Sequence, residues 1–257
     1  MERVHRRAVM FGAGAMIGAA SDAVADVDTS LYYEQLRFEA PRWTVVEPEA
    51  LNSAPYRSIG SLSAWRGNLL TRHFGTVWAC GPSRAATAAH VIEQARAYQL
   101  TNGEVLRVRF GFTRGVAPAQ DAIVAATELK LHENYRRDPA NYDVGFVECA
   151  VSGASLLAGV CEDAEADVFV CGYPVARSVL FMSYSGDKLV AHRGHARRRL
   201  KHFIHDTDTT TGHSGAPLLR ASASGGWEAI AIHVAPDGLR DNKGVWINEE
   251  IAAYLRA

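Results

Sequence analysis

The chain has 257 residues with a formal net charge of -1, and it is 48% hydrophobic and 21% charged. This is an ordinary globular composition, long enough for one large domain or two small ones that share an interface. The near-neutral charge gives no indication of a nucleic-acid partner. The 22 glycines and 9 prolines favour a turn-rich β protein over a helical bundle.

The first 25 residues have the pattern of an export signal. Positions 1–7 are basic, 8–20 form an uncharged run, and Ala23-Val24-Ala25 offers small residues for cleavage before Asp26. The uncharged run is too short to cross a bilayer as a stable helix. Arg6-Arg7 fits either a twin-arginine (Tat) signal or an ordinary Sec signal. We therefore expect a secreted or periplasmic protein without membrane association after signal removal.

The predicted elements begin after an irregular segment. Residues 26–56 mix prolines with both charges, and we interpret them as a propeptide or N-terminal extension. From residue 57 onward, short alternating apolar runs separated by turns indicate a barrel or a sandwich. The predicted strands are Leu69–Cys80, Val105–Thr113, Ala122–His132, Val144–Val151, Val168–Tyr173, Val179–Tyr184, Leu189–His192, Trp227–Val234 and Val245–Asn248. A strand end turns into a short helix within 86–97, and 247–257 is the clearest helix.

The four cysteines are compatible with an oxidising compartment. A bridge between Cys161 and Cys171 would close a short loop, and Cys80 could then pair with Cys149. Buried free thiols are the alternative, and the sequence leaves the choice open. No CxxC pair or Cys/His cluster indicates a metal site, so we expect neither a metal nor a cofactor.

Three motifs carry the candidate chemistry. Thr87-Ala88-Ala89-His90 ends an apolar run, Asn141-Tyr142-Asp143 precedes alternating apolar residues, and Gly212-His213-Ser214-Gly215 forms a glycine-rich turn. A serine hydroxyl is a poor nucleophile at neutral pH, so it needs a histidine base, and that base needs a carboxylate to hold its tautomer. The N–H groups of Gly212 and Ser214 would converge on a developing oxyanion.

The order of the three motifs along the chain excludes one class of serine hydrolase. Asp138 is a weaker candidate for the carboxylate, because Pro139 follows it in a charged loop. An α/β-hydrolase would need GxSxG and the order Ser, Asp, His, whereas Ala216 stands where that motif has its last glycine. We therefore interpret His90, Asp143 and Ser214 as a catalytic triad.

TAAH, NYD, TTGHSGAPL, AIHVAP and GVWIN together resemble the chymotrypsin-like (trypsin-like) serine proteases, and most of all their V8-like, or glutamyl endopeptidase, branch. The resemblance covers 57–257. It implies an all-β fold of two six-stranded antiparallel β-barrels, 57–150 and 151–257, with the site between them and a C-terminal α-helix. It also implies a secreted bacterial serine endopeptidase, made as a zymogen and working as a monomer on protein or peptide substrates.

The resemblance further implies an S1 pocket, which holds the P1 side chain before the scissile bond. Thr209 and His233 match the residues that bind a P1 carboxylate in glutamyl endopeptidases, which predicts cleavage after Glu or Asp. Asp208 stands where trypsin keeps its pocket aspartate, so cleavage after Arg or Lys is the alternative.

Two positions depart from the pattern of the family. His213 replaces an amide or acidic residue, and Pro236 lacks the N–H with which this segment pairs with substrate. A catalytically inactive binding module is therefore the rival from another class.

Overall fold

A computed structural model describes most of the chain downstream of the predicted export signal. The described residues are 42–151, 155–177, 183–222, 225–238 and 241–257. The export signal, residues 26–41 of the extension and the first part of the predicted strand Val179–Tyr184 lie outside these ranges. Within the described ranges, no helix is long and apolar enough to cross a membrane.

The first sheet comes from the first half of the chain, after a short strand, Thr44–Val45 (β1), and two single-turn 3-10 helices, Pro48–Ala50 and Tyr56–Ser58. Its strands are Ile59–Arg66 (β2), Leu69–Gly81 (β3), Arg84–Thr87 (β4), Glu104–Phe110 (β5), Gln120–Val124 (β6), Leu129–Leu131 (β7) and Gly145–Glu148 (β8). They pair antiparallel in the order β6-β5-β2-β3-β4-β8-β7. The helix Ala89–Ala97 (α1) follows β4 and carries one side of the candidate site.

The second sheet closes on itself. Its elements are Leu157–Ala158 (β9), Glu165–Gly172 (β10), Val190–Arg199 (β13), His202–His205 (β14), Pro217–Ala221 (β15), Trp227–Asp237 (β16) and Asp241–Trp246 (β17), and a separate hairpin joins Val175–Arg177 (β11) to Ser183–Ser185 (β12). Because β13 pairs with both β10 and β14, the path β13-β10-β15-β16-β17-β14 returns to its start. The C-terminal helix Glu249–Arg256 (α2) begins after Asn248, whose side chain accepts a hydrogen bond from the N–H of Ile251 at 2.9 Å.

The predicted fold class is confirmed, and the first barrel differs in detail. Instead of a closed six-stranded ring, the described residues form a half-barrel of seven strands whose end strands β6 and β7 do not pair with each other. The predicted strand Ala122–His132 is divided into these two. The Glu128 carboxylate accepts a hydrogen bond from the N–H of Ala125 at 2.6 Å and closes a single 3-10 turn between them.

The segment 42–56, which the sequence presents as irregular, packs against the body of the protein. β1 pairs with β13, with Thr44 opposite Ala191. Val46 and Leu51 are 5% and 1% exposed and belong to the main hydrophobic core. Burial of two aliphatic side chains contributes about 1.5–3 kcal/mol each. This part of the predicted extension is therefore a structural element of the domain.

The four cysteines are free thiols, so the two disulfides considered from the sequence are wrong. Cys171 lies in the main hydrophobic core, whereas Cys161 lies in a second, smaller hydrophobic cluster. The two side chains are therefore buried in different places and do not form a disulfide. Burial raises the pKa of the Cys80 and Cys149 thiols to about 12 in each case. Thiols with such pKa values stay protonated and unreactive at neutral pH.

Candidate active site

His90 and Asp143 form a direct side-chain pair. The ring Nδ1 of His90 lies 2.6 Å from one carboxylate oxygen of Asp143, and the backbone N–H of His90 donates to the other at 2.9 Å. The His90 side chain is 26% exposed and that of Asp143 14% exposed. The carboxylate is therefore turned toward one edge of the imidazole, and the opposite ring nitrogen is left for other partners.

The start of α1 explains why this pair forms. The first N–H groups of a helix have no partner within the helix, and the residue before α1, Ala88, has no side chain that could cap them. Asp143 supplies the missing acceptor from the loop before β8, where its negative charge also faces the positive end of the helix dipole. Asp138, the weaker candidate, instead accepts a hydrogen bond from the Asn141 side chain at 2.8 Å.

Ser214 is attached to the first barrel through its backbone. Its carbonyl accepts a hydrogen bond from the N–H of Thr76 in β3 at 2.9 Å. A Cβ built on Gly75 would lie 2.7 Å from this carbonyl oxygen and 2.7 Å from Val91, the residue after His90. Ser214 and the start of α1 therefore both lie next to Gly75. The Ser214 hydroxyl itself has no hydrogen-bond partner among the described residues.

Glycine is required on both sides of the nucleophile candidate. Gly212 and Gly215 have φ values of +92° and +89°, which side-chain-bearing residues rarely adopt. A Cβ on Gly215 would lie 2.1 Å from the hydroxyl of Thr87, and a Cβ on Gly212 would lie 2.4 Å from the carbonyl of Tyr173. The sequence motif thus reflects both a backbone conformation and a close approach of the two halves of the protein.

The N–H groups of Gly212 and Ser214 have no acceptor within the described part of the chain. The carbonyl before each of them is occupied, since Thr211 accepts from the N–H of Val175 at 2.6 Å and His213 accepts from the N–H of Ala216 at 2.8 Å. In a trans peptide the C=O and the following N–H point in opposite directions. Both N–H groups are therefore directed away from these partners and are free to bind an anionic oxygen.

Thr76 is a residue of this site that the sequence analysis missed. Its hydroxyl donates to the carbonyl of Gly212 at 2.8 Å and accepts from the N–H of Tyr173 at 3.0 Å. It thereby joins β3 of the first sheet to the turn that precedes Ser214. A threonine in an apolar strand has no distinguishing pattern, so only its complete burial across the interface reveals the role.

His233, one of the predicted S1 residues, belongs to a buried chain of polar groups. Its Nδ1 lies 3.2 Å from Nε2 of His205, whose Nδ1 lies 2.7 Å from the hydroxyl of Thr207. Burial lowers the pKa of His205 to about 3 and that of His233 well below its usual value, so both rings are neutral at pH 7. The other predicted residue, Thr209, is partly exposed in the loop that leads to Ser214.

The carboxylate of Asp208 faces the N-terminal segment. It accepts hydrogen bonds from the backbone N–H of Arg42 at 2.6 Å and from its guanidinium at 3.0 Å. Burial would raise the pKa of Asp208, but the hydrogen bonds and the charge of Arg42 outweigh burial and hold it below its ordinary value. No sequence pattern indicates this contact, because the two residues are 166 positions apart in the chain.

The two departures from the family pattern have different surroundings. The ring of His213 is buried, accepts a hydrogen bond from the N–H of Thr210 at 3.1 Å and packs against Trp43 with ring centroids 5.4 Å apart. Burial lowers the pKa of His213 to about 4. Pro236 lies in β16 opposite Asn242 of β17, so the chain past the candidate pocket remains a strand although it lacks one N–H.

Comparison with known proteins agrees with this architecture. The family model of the trypsin-like peptidase domain matches residues 75–232, which span β3 to β16 and include all three triad candidates. The match covers more than half of the chain, so the chain belongs to the trypsin-like peptidase family. The protein is a serine endopeptidase, a hydrolase that acts on proteins or peptides. No curated protein sequence matches the chain.

Solved structures of low identity share the fold. A Glu endopeptidase in complex with MPD superposes with a TM-score of 0.65 at 17% identity, covering 84% of this chain and 95% of that chain. The protease Anisep from Arthrobacter nicotinovorans gives 0.58 at 17%, with 78% and 94% covered. A thermostable serine protease, AL20, from an extremophilic microorganism gives 0.60 at 14%, with 79% and 96% covered.

Proposed function

We propose that the protein is an exported serine endopeptidase of the V8-like branch that hydrolyses peptide bonds after Glu or Asp through an acyl-enzyme. Ser214 is the nucleophile, His90 the general base and acid, and Asp143 the group that orients His90. The observation that carries the proposal is the 2.6 Å contact of Asp143 with Nδ1 of His90. Both residues belong to the first half of the protein, which also binds the backbone of Ser214 through Thr76.

The chemistry follows from the protonation states of this pair. With Nδ1–H donated to Asp143, the free Nε2 of His90 accepts the proton of Ser214 as the hydroxyl oxygen attacks the peptide carbonyl. The resulting imidazolium lies against a carboxylate and is stabilised by it. His90 then returns the proton to the leaving amine, and an ester with Ser214 remains. A water molecule, deprotonated by His90 in the same way, cleaves the ester and releases the new carboxyl terminus.

The oxyanion of each tetrahedral intermediate is assigned to the N–H groups of Gly212 and Ser214. Support comes from the absence of other acceptors for them among residues that the structure describes, and from the hydrogen bond of Thr76 to the Gly212 carbonyl, which holds the loop. Donors that are oriented before reaction need no reorganisation when the charge appears. Loss of one such donor costs about 3–4 kcal/mol of barrier in related chemistry.

The preference for an acidic P1 residue rests on the polar chain behind His233. If Thr207 donates to His205, and His205 Nε2–H donates to Nδ1 of His233, then His233 presents its own Nε2–H as a donor. A bound P1 carboxylate would accept this hydrogen bond and raise the pKa of the ring. Thr209 is the second proposed receptor. The contact of Asp208 with Arg42 argues against the trypsin-like alternative.

The proposal includes export and a revised N-terminus. Export rests on the signal pattern of the first 25 residues. We place the start of the mature chain upstream of Arg42 rather than near residue 57, because Val46 and Leu51 are buried in the core. Removal of residues 42–56 would expose apolar surface of the body that they now cover.

A fluorophosphonate probe tests the enzymatic mechanism. The purified protein should label on Ser214 and hydrolyse casein, and the Ser214→Ala variant should do neither. Ser53→Ala, which removes an exposed serine of the N-terminal segment, is the matched control and should label like the wild type. A correctly folded wild-type protein that neither labels nor cleaves would refute the proposal and leave the inactive binding module, for which the loss of the Pro236 N–H is the supporting feature.

A series of peptides that differ only at P1 tests the specificity. We expect Glu and Asp to be cleaved at least tenfold more efficiently than Lys, Arg or Leu, and replacement of His233 by Ala to remove this preference. A preference for Arg or Lys would contradict the assignment of His233 and Thr209 and move the receptor role to Asp208.

A further inference from the structure

We infer that Arg42 is a specificity-determining residue, which occupies the carboxylate of Asp208 and thereby prevents that carboxylate from receiving a basic P1 side chain. The inference rests on the proposed peptidase function. It gives the N-terminal segment a role in substrate selection, separate from the chemistry of the triad. Its basis is the set of contacts between this segment and the loop 206–214, which leads to the nucleophile.

The contact between Arg42 and Asp208 uses both backbone and side chain. One carboxylate oxygen accepts the backbone N–H of Arg42 at 2.6 Å, and the other accepts a guanidinium N–H at 3.0 Å. The same guanidinium donates to the carbonyl of Asp206 at 2.8 Å. The Asp208 side chain is only 12% exposed, whereas that of Arg42 is 61% exposed. The arginine therefore covers a largely buried anion from the solvent side.

The rest of the loop leaves the carboxylate little freedom. The N–H of Asp208 donates to Nδ1 of His192 in β13 at 2.6 Å, which fixes the backbone beside that strand. The preceding carbonyl, that of Thr207, accepts from the side chain of Asn242 in β17 at 2.7 Å. With its backbone attached on two sides, Asp208 keeps its side chain directed at the N-terminal segment as long as Arg42 is present.

Arg42 is itself held in place by the residues that follow it. Trp43 packs on the ring of His213, the neighbour of Ser214, and the pairing of β1 with β13 continues with a hydrogen bond from the N–H of Val46 to the carbonyl of Leu189 at 2.9 Å. These contacts do not depend on the guanidinium. Replacing the Arg42 side chain should therefore leave the segment docked and remove only the contacts of the guanidinium with Asp208 and with the Asp206 carbonyl.

The charge balance links the contact to specificity. A largely buried carboxylate is stabilised by a cation beside it, and Arg42 is such a cation for Asp208. Asp208 lies between Thr209 and Thr207, and the Thr207 hydroxyl lies 2.7 Å from Nδ1 of His205, the ring that contacts His233, so Asp208 lies beside the proposed P1 receptor. Without Arg42, this carboxylate would repel an acidic P1 side chain and attract Lys or Arg. The ion pair thus allows the loop 206–214 to contain Asp208 while the pocket still prefers Glu at P1.

The test compares kcat/KM for matched peptides with Glu or Lys at P1. Arg42→Gln should lower the Glu-to-Lys ratio at least tenfold, and the double variant Arg42→Gln with Asp208→Asn should restore the ratio to within about threefold of wild type. Arg66→Gln is the matched control. It also removes an exposed arginine, 55% exposed, that lies over a buried carboxylate, here Glu104 at 3.7 Å, but it does so in the first sheet. Thermal unfolding of every variant checks the fold.

The outcomes separate this inference from the proposed function. If the wild type prefers Glu and Arg42→Gln leaves the ratio unchanged, the role of Arg42 is refuted and the function stands. The same holds if Arg66→Gln shifts the ratio as much as Arg42→Gln. If the active wild type prefers Lys or Arg, both the proposed specificity and the role of Arg42 fail. An inert wild type, without labelling or cleavage, overturns the peptidase proposal and this role with it.

Discussion

The two halves of the protein hold their parts of the candidate site in different ways. In the first, His90 and Asp143 meet through side-chain contacts of 2.6 Å and 2.9 Å at the start of a helix. In the second, the turn around Ser214 is held by its backbone: the Ser214 carbonyl accepts a hydrogen bond from Thr76, and the hydroxyl has no hydrogen-bond partner in the described part of the chain. The His90 imidazole is therefore held by its side-chain contacts, while Ser214 is held through its backbone alone.

This difference fits the roles that we propose for the two groups. The imidazole must keep one tautomer through several proton transfers, which a charged partner on one ring edge ensures. The hydroxyl must move from the base to the substrate carbonyl, so a permanent hydrogen bond would hinder it. Hydrogen bonds at active sites without substrate are often long and become shorter in the complex. Substitutions on each side should therefore have distinct effects.

The largest expected effect is that of Asp143→Asn, which tests the side-chain pair. The amide can donate a hydrogen bond to Nδ1 and stabilise the wrong tautomer, so kcat should fall by about 10⁴-fold with little change in KM. Steady-state kinetics on a P1-Glu peptide measures this. Asp138→Asn is the control, and its kcat should stay within about threefold of wild type. A comparable loss in both variants would contradict the assignment of Asp143.

The backbone turn is tested by comparing two glycines with the same conformation. Gly215 has φ +89° and a Cβ there would lie 2.1 Å from the Thr87 hydroxyl, whereas Gly225 has φ +88° and nothing within 4 Å. Gly225→Ala should cost only the backbone strain, on the order of 1 kcal/mol. Gly215→Ala should cost roughly 1–3 kcal/mol more and remove most activity, because the added atom separates the two halves. Urea unfolding of both variants gives the difference, and equal costs would contradict the close approach.

The connection between the two halves is tested by Thr76→Val. This change leaves the Tyr173 N–H without its partner, at about 1–3 kcal/mol for a buried unsatisfied group, and leaves the Gly212 carbonyl with only a 3.5 Å contact to Nε2 of His73. We expect kcat to fall by roughly 10–100-fold, because the turn that carries the Gly212 and Ser214 N–H groups loses the hydrogen bond that holds it. Thr76→Ser keeps the hydroxyl and should retain most of the activity. If both variants lost activity equally, the methyl group and not the hydrogen bond would be responsible.

A smaller effect concerns the buried imidazoles of the second barrel. Burial lowers the pKa of His205 to about 3 and that of His213 to about 4, while an unfolded histidine has a pKa of about 6.5. Below pH 6.5 the unfolded chain binds protons that the folded protein does not. The free energy of unfolding is therefore highest above pH 6.5 and falls toward pH 4.

Urea unfolding at pH 7 and pH 5 measures this dependence. Each buried imidazole should contribute roughly 1–2 kcal/mol to the loss between these pH values, and His205→Gln should reduce the loss by that amount. His195→Gln, which changes a half-exposed histidine on β13, is the control. An unchanged pH dependence in His205→Gln would show that His205 does not stay neutral in the folded protein.

Much of the architecture could be predicted because it depends on local patterns. The alternation along β5, the continuous apolar runs of β3 and β16 and the four-residue spacing of Ile251 and Leu255 each identify an element directly from the sequence. Elements that carry polar residues or a proline were missed, such as β14 (His202–His205) and β15 (Pro217–Ala221). Their inward side chains become evident only when the barrel closes around them.

The sequence alone determined the class of the protein, its all-β fold and the order of His90, Asp143 and Ser214, because sharp turns and short strands impose local residue choices. The tertiary structure decided which distant groups meet. It joined His90 to Asp143, Thr76 to Gly212 and Arg42 to Asp208. Hydrogen bonds and ion pairs act over a few ångströms in space, and residues far apart in the chain carry no mark of a partner that only folding brings within that distance.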